Sequence, residues 1–236
     1  AATIEIEGFR PGKAPQNLIA EKIDKNKVYG EVINKLVPES YRKALEEHGL
    51  KPIVTPQVKI TQAEEKKDWQ LIASSAQQPT VELGDYKKEL AVTKIWKPGD
   101  TEETKKEDEQ KKISEIIEKL LQICKVELAQ ILIDSETNRL LTQLIEDVRQ
   151  AGLTYEQYLQ SSSQTAEAVR AKYQKQGETA LKLEFILEAV AQDLKITVEQ
   201  AEIDEVVAKK PELKDQAYIL ASIIKRDKTI AKLLAL

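Results

Sequence analysis

Apolar positions along the 236-residue chain recur with two different periods, and the change of period organises it. Thr3-Ile4-Glu5-Ile6-Glu7 alternates strictly, which predicts a half-buried strand. From Pro15 onward the spacing is helical, through Leu18, Ile19 and Ile23, and predicts a helix over residues 15–25. A second helix over 28–47 follows from Val28, Val32, Leu36, Tyr41 and Leu45, with Pro38 expected to kink it. His48-Gly49 reads as its C-terminal cap, with Gly49 left-handed. Prolines 52 and 56 limit residues 51–62 to an interrupted or edge strand. Residues 68–76 (DWQLIASSA) and 90–96 (LAVTKIW) are the stronger strand candidates. Residues 1–96 therefore read as a small α+β domain.

Lys97-Pro98-Gly99-Asp100-Thr101 punctuates the chain: Pro-Gly stops a strand, and Asp100 or Thr101 can cap a helix. Beyond it, over 97–236, the pattern is all helical. Ile113, Ile116, Ile117, Leu120, Leu121 and Cys124 form one stripe, and a helix over 102–123 would be about 33 Å long. Its first part, 104–112, is almost wholly charged and is expected to project into solvent. A helix over 129–150 carries Leu132, Leu140, Leu141, Leu144, Ile145 and Val148. Thr154 is placed to cap a short helix, and the run Ser161-Ser162-Ser163-Gln164-Thr165 to break it and cap the next. That next helix, 165–194, carries Val169, Tyr173, Leu183, Leu187 and Val190, with Gly177 weakening its middle. Thr197 with Gln200 three residues on suggests a capping box for another helix. After Pro211, Tyr218, Ile219, Ile223, Ile224, Ile230 and Leu233 continue the apolar pattern to the end.

Composition changes this picture in two respects. Charged residues make up 32% and aromatics 5%, which favours helical surfaces over an aromatic-rich sandwich. The net charge of −4 is uneven: residues 1–96 hold 15 basic against 14 acidic side chains, and 97–236 hold 21 against 26. A near-neutral front with focused cations can approach a polyanion, whereas the acidic rear is expected to stay away from RNA. Cys124 is the only cysteine, so no intrachain disulfide forms and a reducing compartment fits. No apolar run reaches membrane-spanning length.

The stretch Gly8-Phe9-Arg10-Pro11-Gly12-Lys13 links the first strand to the first helix. Its glycines and proline preset a tight backbone that pushes Phe9, Arg10 and Lys13 outward. Turn chemistry alone accounts for many basic runs. Two cations beside a large apolar ring also suit a phosphate-rich surface with an adjacent niche.

Gly-Phe-Arg-x-Gly-Lys resembles the signature of the trigger factor family, the bacterial chaperones of the ribosome exit. Residues 28–53 (VYGEVINKLVPESYRKALEEHGLKPI) resemble the same family's ribosome-binding domain. So does Pro79-x-Val81-x-Leu83. In the helical half, Gly152-Leu153 with Tyr158-Leu159 matches the family's turn and short helix. The segment LAQILIDSETNRLLTQL is similar to the start of its chaperone domain, with Leu128 or Ala129 where the family has proline. The resemblance implies an α+β ribosome-binding domain over 1–96 and an all-α, arm-bearing chaperone domain over 97–236. It also implies that Phe9, Arg10, Gly12 and Lys13 contact a large-subunit protein and nearby rRNA. The family has a strand and helix before the signature, which are expected upstream of Ala1. Its FKBP-type prolyl isomerase domain finds no room at the 97–101 junction.

Catalytic candidates are few. His48, the sole histidine, falls at a helix end where capping or exposure explains it. Cys124 lies on a core stripe and behaves as a small hydrophobe. The serine run has no glycine-flanked nucleophile turn, and no spaced Cys/His ligand set or phosphate loop occurs. The expectation is a cytoplasmic, non-enzymatic, ATP-independent chaperone that needs no cofactor or metal. Its partners would be the ribosome and unfolded or nascent polypeptides, with no membrane contact. An exported periplasmic or surface foldase and a helical homodimeric scaffold stand as alternatives.

Overall fold

The computed structural model describes residues 25–62, 67–91, 102–210 and 215–235. The chain divides into two compact units, residues 1–77 and 78–236. The strand expected over 3–7, most of the helix over 15–25, and the junction 97–101 lie outside the described residues.

In the first unit, α1 (Lys25–His48) runs unbroken through Pro38. Its end closes with the Leu50 amide donating to the Leu45 carbonyl at 3.0 Å and the Gly49 amide to that of Glu46 at 3.4 Å. Gly49 takes φ +62°, the left-handed turn the sequence called for. β1 (Gln57–Gln62) and β2 (Gln70–Ser74) form an antiparallel pair with Val58 opposite Ala73 and Ile60 opposite Leu71. The register shifts between Ile60 and Gln62, and the Thr61 hydroxyl donates to the Gln70 carbonyl there. The prolines act as expected. Pro52 makes only an isolated bridge to Gln77, and the ladder begins after Pro56. The Tyr29 ring meets Trp69 edge-on at 5.3 Å.

The second unit opens with β3 (Val81–Glu82) and α2 (Tyr86–Ala91). Three helices of about six, six and eight turns follow: α3 (Glu102–Ile123), α4 (Gln130–Gln150) and α6 (Ala166–Asp193). Between α3 and α4, β4 (Lys125–Val126) pairs with β3. The short α5 (Tyr155–Ser162) precedes α6, while α7 (Gln200–Lys209) and α8 (Ala217–Leu234) finish the body. Together the two units give an α+β amino-terminal part and a mainly helical remainder.

The core sits where α2, α3, α6 and α8 meet. Leu120, Ile186, Val190 and Leu233 are essentially sealed there, joined by Tyr86, Leu90, Ile116, Cys124 and Leu187. A second buried group, Leu132, Ile133, Val148 and Val169, belongs to the packing of α4 on α6. Gly177 has a role there that its weak helix propensity hid. A Cβ at this position would come within 3.1 Å of the Glu136 side chain, so the missing side chain lets the helices approach.

Two sequence expectations need correction. Residues 90–96 were expected to be a strand, but Leu90 and Ala91 end a helix; the rest lie outside the described residues. Tyr86 and Leu90, four apart, are both buried, and this helical spacing outweighs the β-branched composition downstream. Nor does Thr197 cap the helix that follows α6. The α6 exit turn, with Lys195 at φ +54° and the Ile196 amide bonded to the Ala191 carbonyl, holds the following residues out of the helix. The Thr197 carbonyl accepts from Lys228 instead, and α7 starts after Glu199, whose amide donates to Glu202.

Because Tyr86 and Leu90 are buried with α3 and α6, a fragment beginning at Gln78 should keep the full stability of the helical body. A fragment beginning at Lys97 should lose several kcal/mol, at roughly 1.5–3 kcal/mol for each buried side chain. Circular dichroism melts of the two fragments check this. At the α6 exit, Lys195→Gly should raise the chemical-denaturation stability by about 1 kcal/mol by relieving a side chain in a left-handed turn.

Candidate functional site

The four residues expected to dock on a polyanion, Phe9, Arg10, Gly12 and Lys13, lie outside the described residues. The weaker chemical candidates all have structural employment. His48 closes α1. The Cys124 thiol is buried and donates to the Leu83 carbonyl at 3.4 Å, and burial raises its pKa. Ser162 donates to the Tyr158 carbonyl at 2.8 Å, while Ser163 forms the left-handed end of α5. Thr154 and Thr165 cap α5 and α6 as their positions predicted, Thr154 with a reciprocal bond from its amide to Gln157. Among the described residues no cluster of His, Cys, Asp and Glu could hold a metal ion.

Among the described residues, several large apolar side chains have no structural employment. On α8, Tyr218 is 89% exposed, with Ile219 at 51% and Ile223 at 39%. Positions 218, 219, 222 and 223 share one helix face, so these side chains form a continuous outward patch with Ser222. Leu220 is buried on the far side of this stretch, and Thr229 and Leu233 are buried farther along the helix. Ion pairs hold the helix in this orientation. Lys225 meets Glu188 of α6 at 2.7 Å, and Lys228 meets both oxygens of Glu202 of α7 at 2.9 Å. Partial burial raises the Glu188 carboxyl, but hydrogen bonds from Lys225 and Gln192 outweigh it and hold the pKa below the usual value. Glu202 is held low by the Glu199 amide and then by Lys228.

A second exposed apolar group lies near the turn from α4 into α5. Leu153 and Ile145 are nearly half exposed. Tyr155 and Tyr158 stack at 6.3 Å between ring centroids, inclined by 21°. Tyr173 of α6 adjoins them, its pKa raised by burial first and then by Tyr158, Asp147 and Tyr155. Broad aromatic and aliphatic surfaces of this kind suit shallow contact with many apolar side chains rather than one rigid ligand.

The α8 patch escaped the sequence reading because Tyr218, Ile219 and Ile223 merely continued an apolar pattern. A signal was available. Apolar residues at 217–220 and again at 223–224 span more of the helix circumference than one buried stripe requires.

Models of the bacterial trigger factor protein match residues 1–120, and of its C-terminus residues 99–235. The chain belongs to the trigger factor family. The two matches overlap over 99–120, leaving no length between them for a further domain. The trigger factor of Listeria welshimeri is 38% identical over 85 residues, which cover 36% of this chain and 20% of the relative. That of Staphylococcus carnosus is 37% identical over 84 residues, and that of Streptococcus pneumoniae 34% over 85. The matched stretch thus spans about a fifth of each of these trigger factors. A solved structure described as "Promiscuous Substrate Recognition in Folding and Assembly Activities of the Trigger Factor Chaperone" superposes with a TM-score of 0.61. It covers 98% of this chain and 90% of the other at 16% identity, a shared fold.

Because Glu188 and Glu202 have depressed pKa values in the folded state, their stabilisation is complete above the ordinary carboxylate range. It is lost as pH falls through the depressed values. The melting temperature should therefore drop between about pH 5 and 3, and drop less in Lys225→Ala/Lys228→Ala, as scanning calorimetry across that range would show.

Proposed function

We propose that this trigger factor family member is an ATP-independent, cytoplasmic chaperone that docks at the ribosome exit and shields unfolded or nascent polypeptides. The observation that carries the client-holding part is the outward face of α8. Three large apolar side chains stand exposed on a helix that is already packed through Leu220, Thr229 and Leu233 and ion-paired through Lys225 and Lys228. Leaving such a patch in water is unfavourable, by about 25 cal/mol per Å² of apolar surface. It becomes favourable when an unfolded chain covers it. The surrounding charge, 32% of all residues, keeps the empty surface soluble.

Docking is assigned to Phe9, Arg10, Gly12 and Lys13, supported by family membership and by the match to residues 1–120. Arg10 and Lys13 would neutralise rRNA phosphates beside a large-subunit protein, and Phe9 would fill an apolar niche. Neither role needs a cofactor, and no catalytic step is assigned to any residue.

Two measurements test the two parts separately. Ribosome co-sedimentation should fall at least about tenfold in Phe9→Ala/Arg10→Ala/Lys13→Ala, and the residual binding should weaken further with salt. Equal pelleting of variant and wild type would remove the docking assignment. Suppression of aggregation of a denatured client should weaken severalfold in Tyr218→Ser/Ile219→Ser/Ile223→Ser while the melting temperature stays within a few degrees. Should that triple variant protect the client as well as wild type, α8 is not the holding surface. Light scattering would then show whether the patch instead joins two copies.

A further inference from the structure

Residues 78–91 differ from the rest of the helical body in how they are held. β3 has two residues and α2 has six, and neither is long enough to be stable by itself. The helices beneath them run 22 and 28 residues. The segment stays in place through side-chain anchors. Tyr86 and Leu90 insert beside Ile116, Leu120, Ile186 and Val190, and β3 pairs with β4. Gly84, at φ +57°, passes so close to Ile123 that a Cβ would lie 3.1 Å from its methyl carbon. At the mouth of the cleft, the Asp193 carboxylate accepts from the Tyr86 hydroxyl at 2.6 Å and pairs with the Lys87 ammonium at 2.7 Å.

This is how a bound peptide is held. An added strand supplies main-chain bonds, and two apolar side chains four apart enter a groove. The least stable cooperative segment of a fold opens first, and here the short segment lies over the long helices. We propose that residues 78–91 form a strap that opens separately from α3 and α6. The groove beneath it is a covered site for an unfolded polypeptide segment. The occupant already seated there defines its chemistry: a β-forming residue, then an aromatic and a leucine spaced as in Val81, Tyr86 and Leu90. The inference rests on the chaperone reading above and adds a second client contact to the face of α8.

Cys124 reports the opening directly. It is the only cysteine, it is 6% exposed, and its thiol is bonded to the Leu83 carbonyl of the strap. In the full chain, labelling of Cys124 by a thiol reagent should proceed under conditions where global unfolding is negligible. Asp193→Asn should accelerate it about tenfold, through loss of charge-assisted bonds. Tyr86→Phe, which keeps the ring but removes the same hydrogen bond, should accelerate it too. Glu205→Gln, which breaks only the exposed pair with Lys209, should not. A fluorescent peptide of residues 78–91 should bind Tyr86→Phe, whose groove keeps Asp193 for the incoming peptide, severalfold more tightly than wild type, and its Tyr86→Ala/Leu90→Ala version should bind neither. The proposal is overturned if wild-type labelling follows only global unfolding and both latch variants leave it unchanged. It is equally overturned if the peptide binds all forms alike. These readouts involve no ribosome and no client. Loss of aggregation suppression with labelling and peptide binding intact would count against the chaperone reading and leave the strap standing.

Discussion

Leu120, Ile186, Val190 and Leu233 come from three helices and meet with almost no exposed surface, in a chain where about a third of residues are charged. At roughly 1.5–3 kcal/mol for each, burying these four side chains yields about 6–12 kcal/mol, as large as the net stability of an ordinary domain. Every other part of the helical body is placed by this contact. It fixes α3 on α6 and α8, gives Tyr86 and Leu90 somewhere to insert, and leaves Cys124 sealed beneath them. The α4–α6 contact extends the packing along the same long helix, at the distance Gly177 permits.

A core confined to one crossing point cannot cover the whole length of its helices. Apolar side chains beyond it are then left to solvent, and the face of α8 with Tyr218, Ile219 and Ile223 is the clearest case. Lys225 and Lys228 make the orientation definite, because each is bonded to a carboxylate on a neighbouring helix. The exposed face is thus the outward side of a helix held firmly by its inward side. This arrangement leaves apolar surface in water without loosening the fold.

The helices were legible because their signals are local. Thr154 and Thr165 cap where a hydroxyl can reach an amide three residues on, and Gly49 turns where a left-handed residue is needed. Residues 102–123 carry a stripe whose period alone predicts their helix. The misreadings share a cause. Leu90 looked like strand because its β-branched neighbours follow it, yet burial of Tyr86 and Leu90 on α3 and α6 decides for helix. Thr197 looked like a cap, but its carbonyl is taken by a lysine thirty-one residues away. The family signature at Gly8–Lys13 was legible for another reason. A short motif of adjacent residues carries its residue types in sequence order.

Capping, turn formation and helical periodicity depend on residues within about one helical turn, so the sequence by itself determined the helices and most of their ends. Tertiary structure decided which apolar stripes become core, that residues 78–91 join the helical body, and that Gly177 marks a close contact rather than a weak point. It also decided that α8 keeps an apolar face in water. Each of these depends on desolvation between side chains dozens of residues apart, which no local spacing encodes.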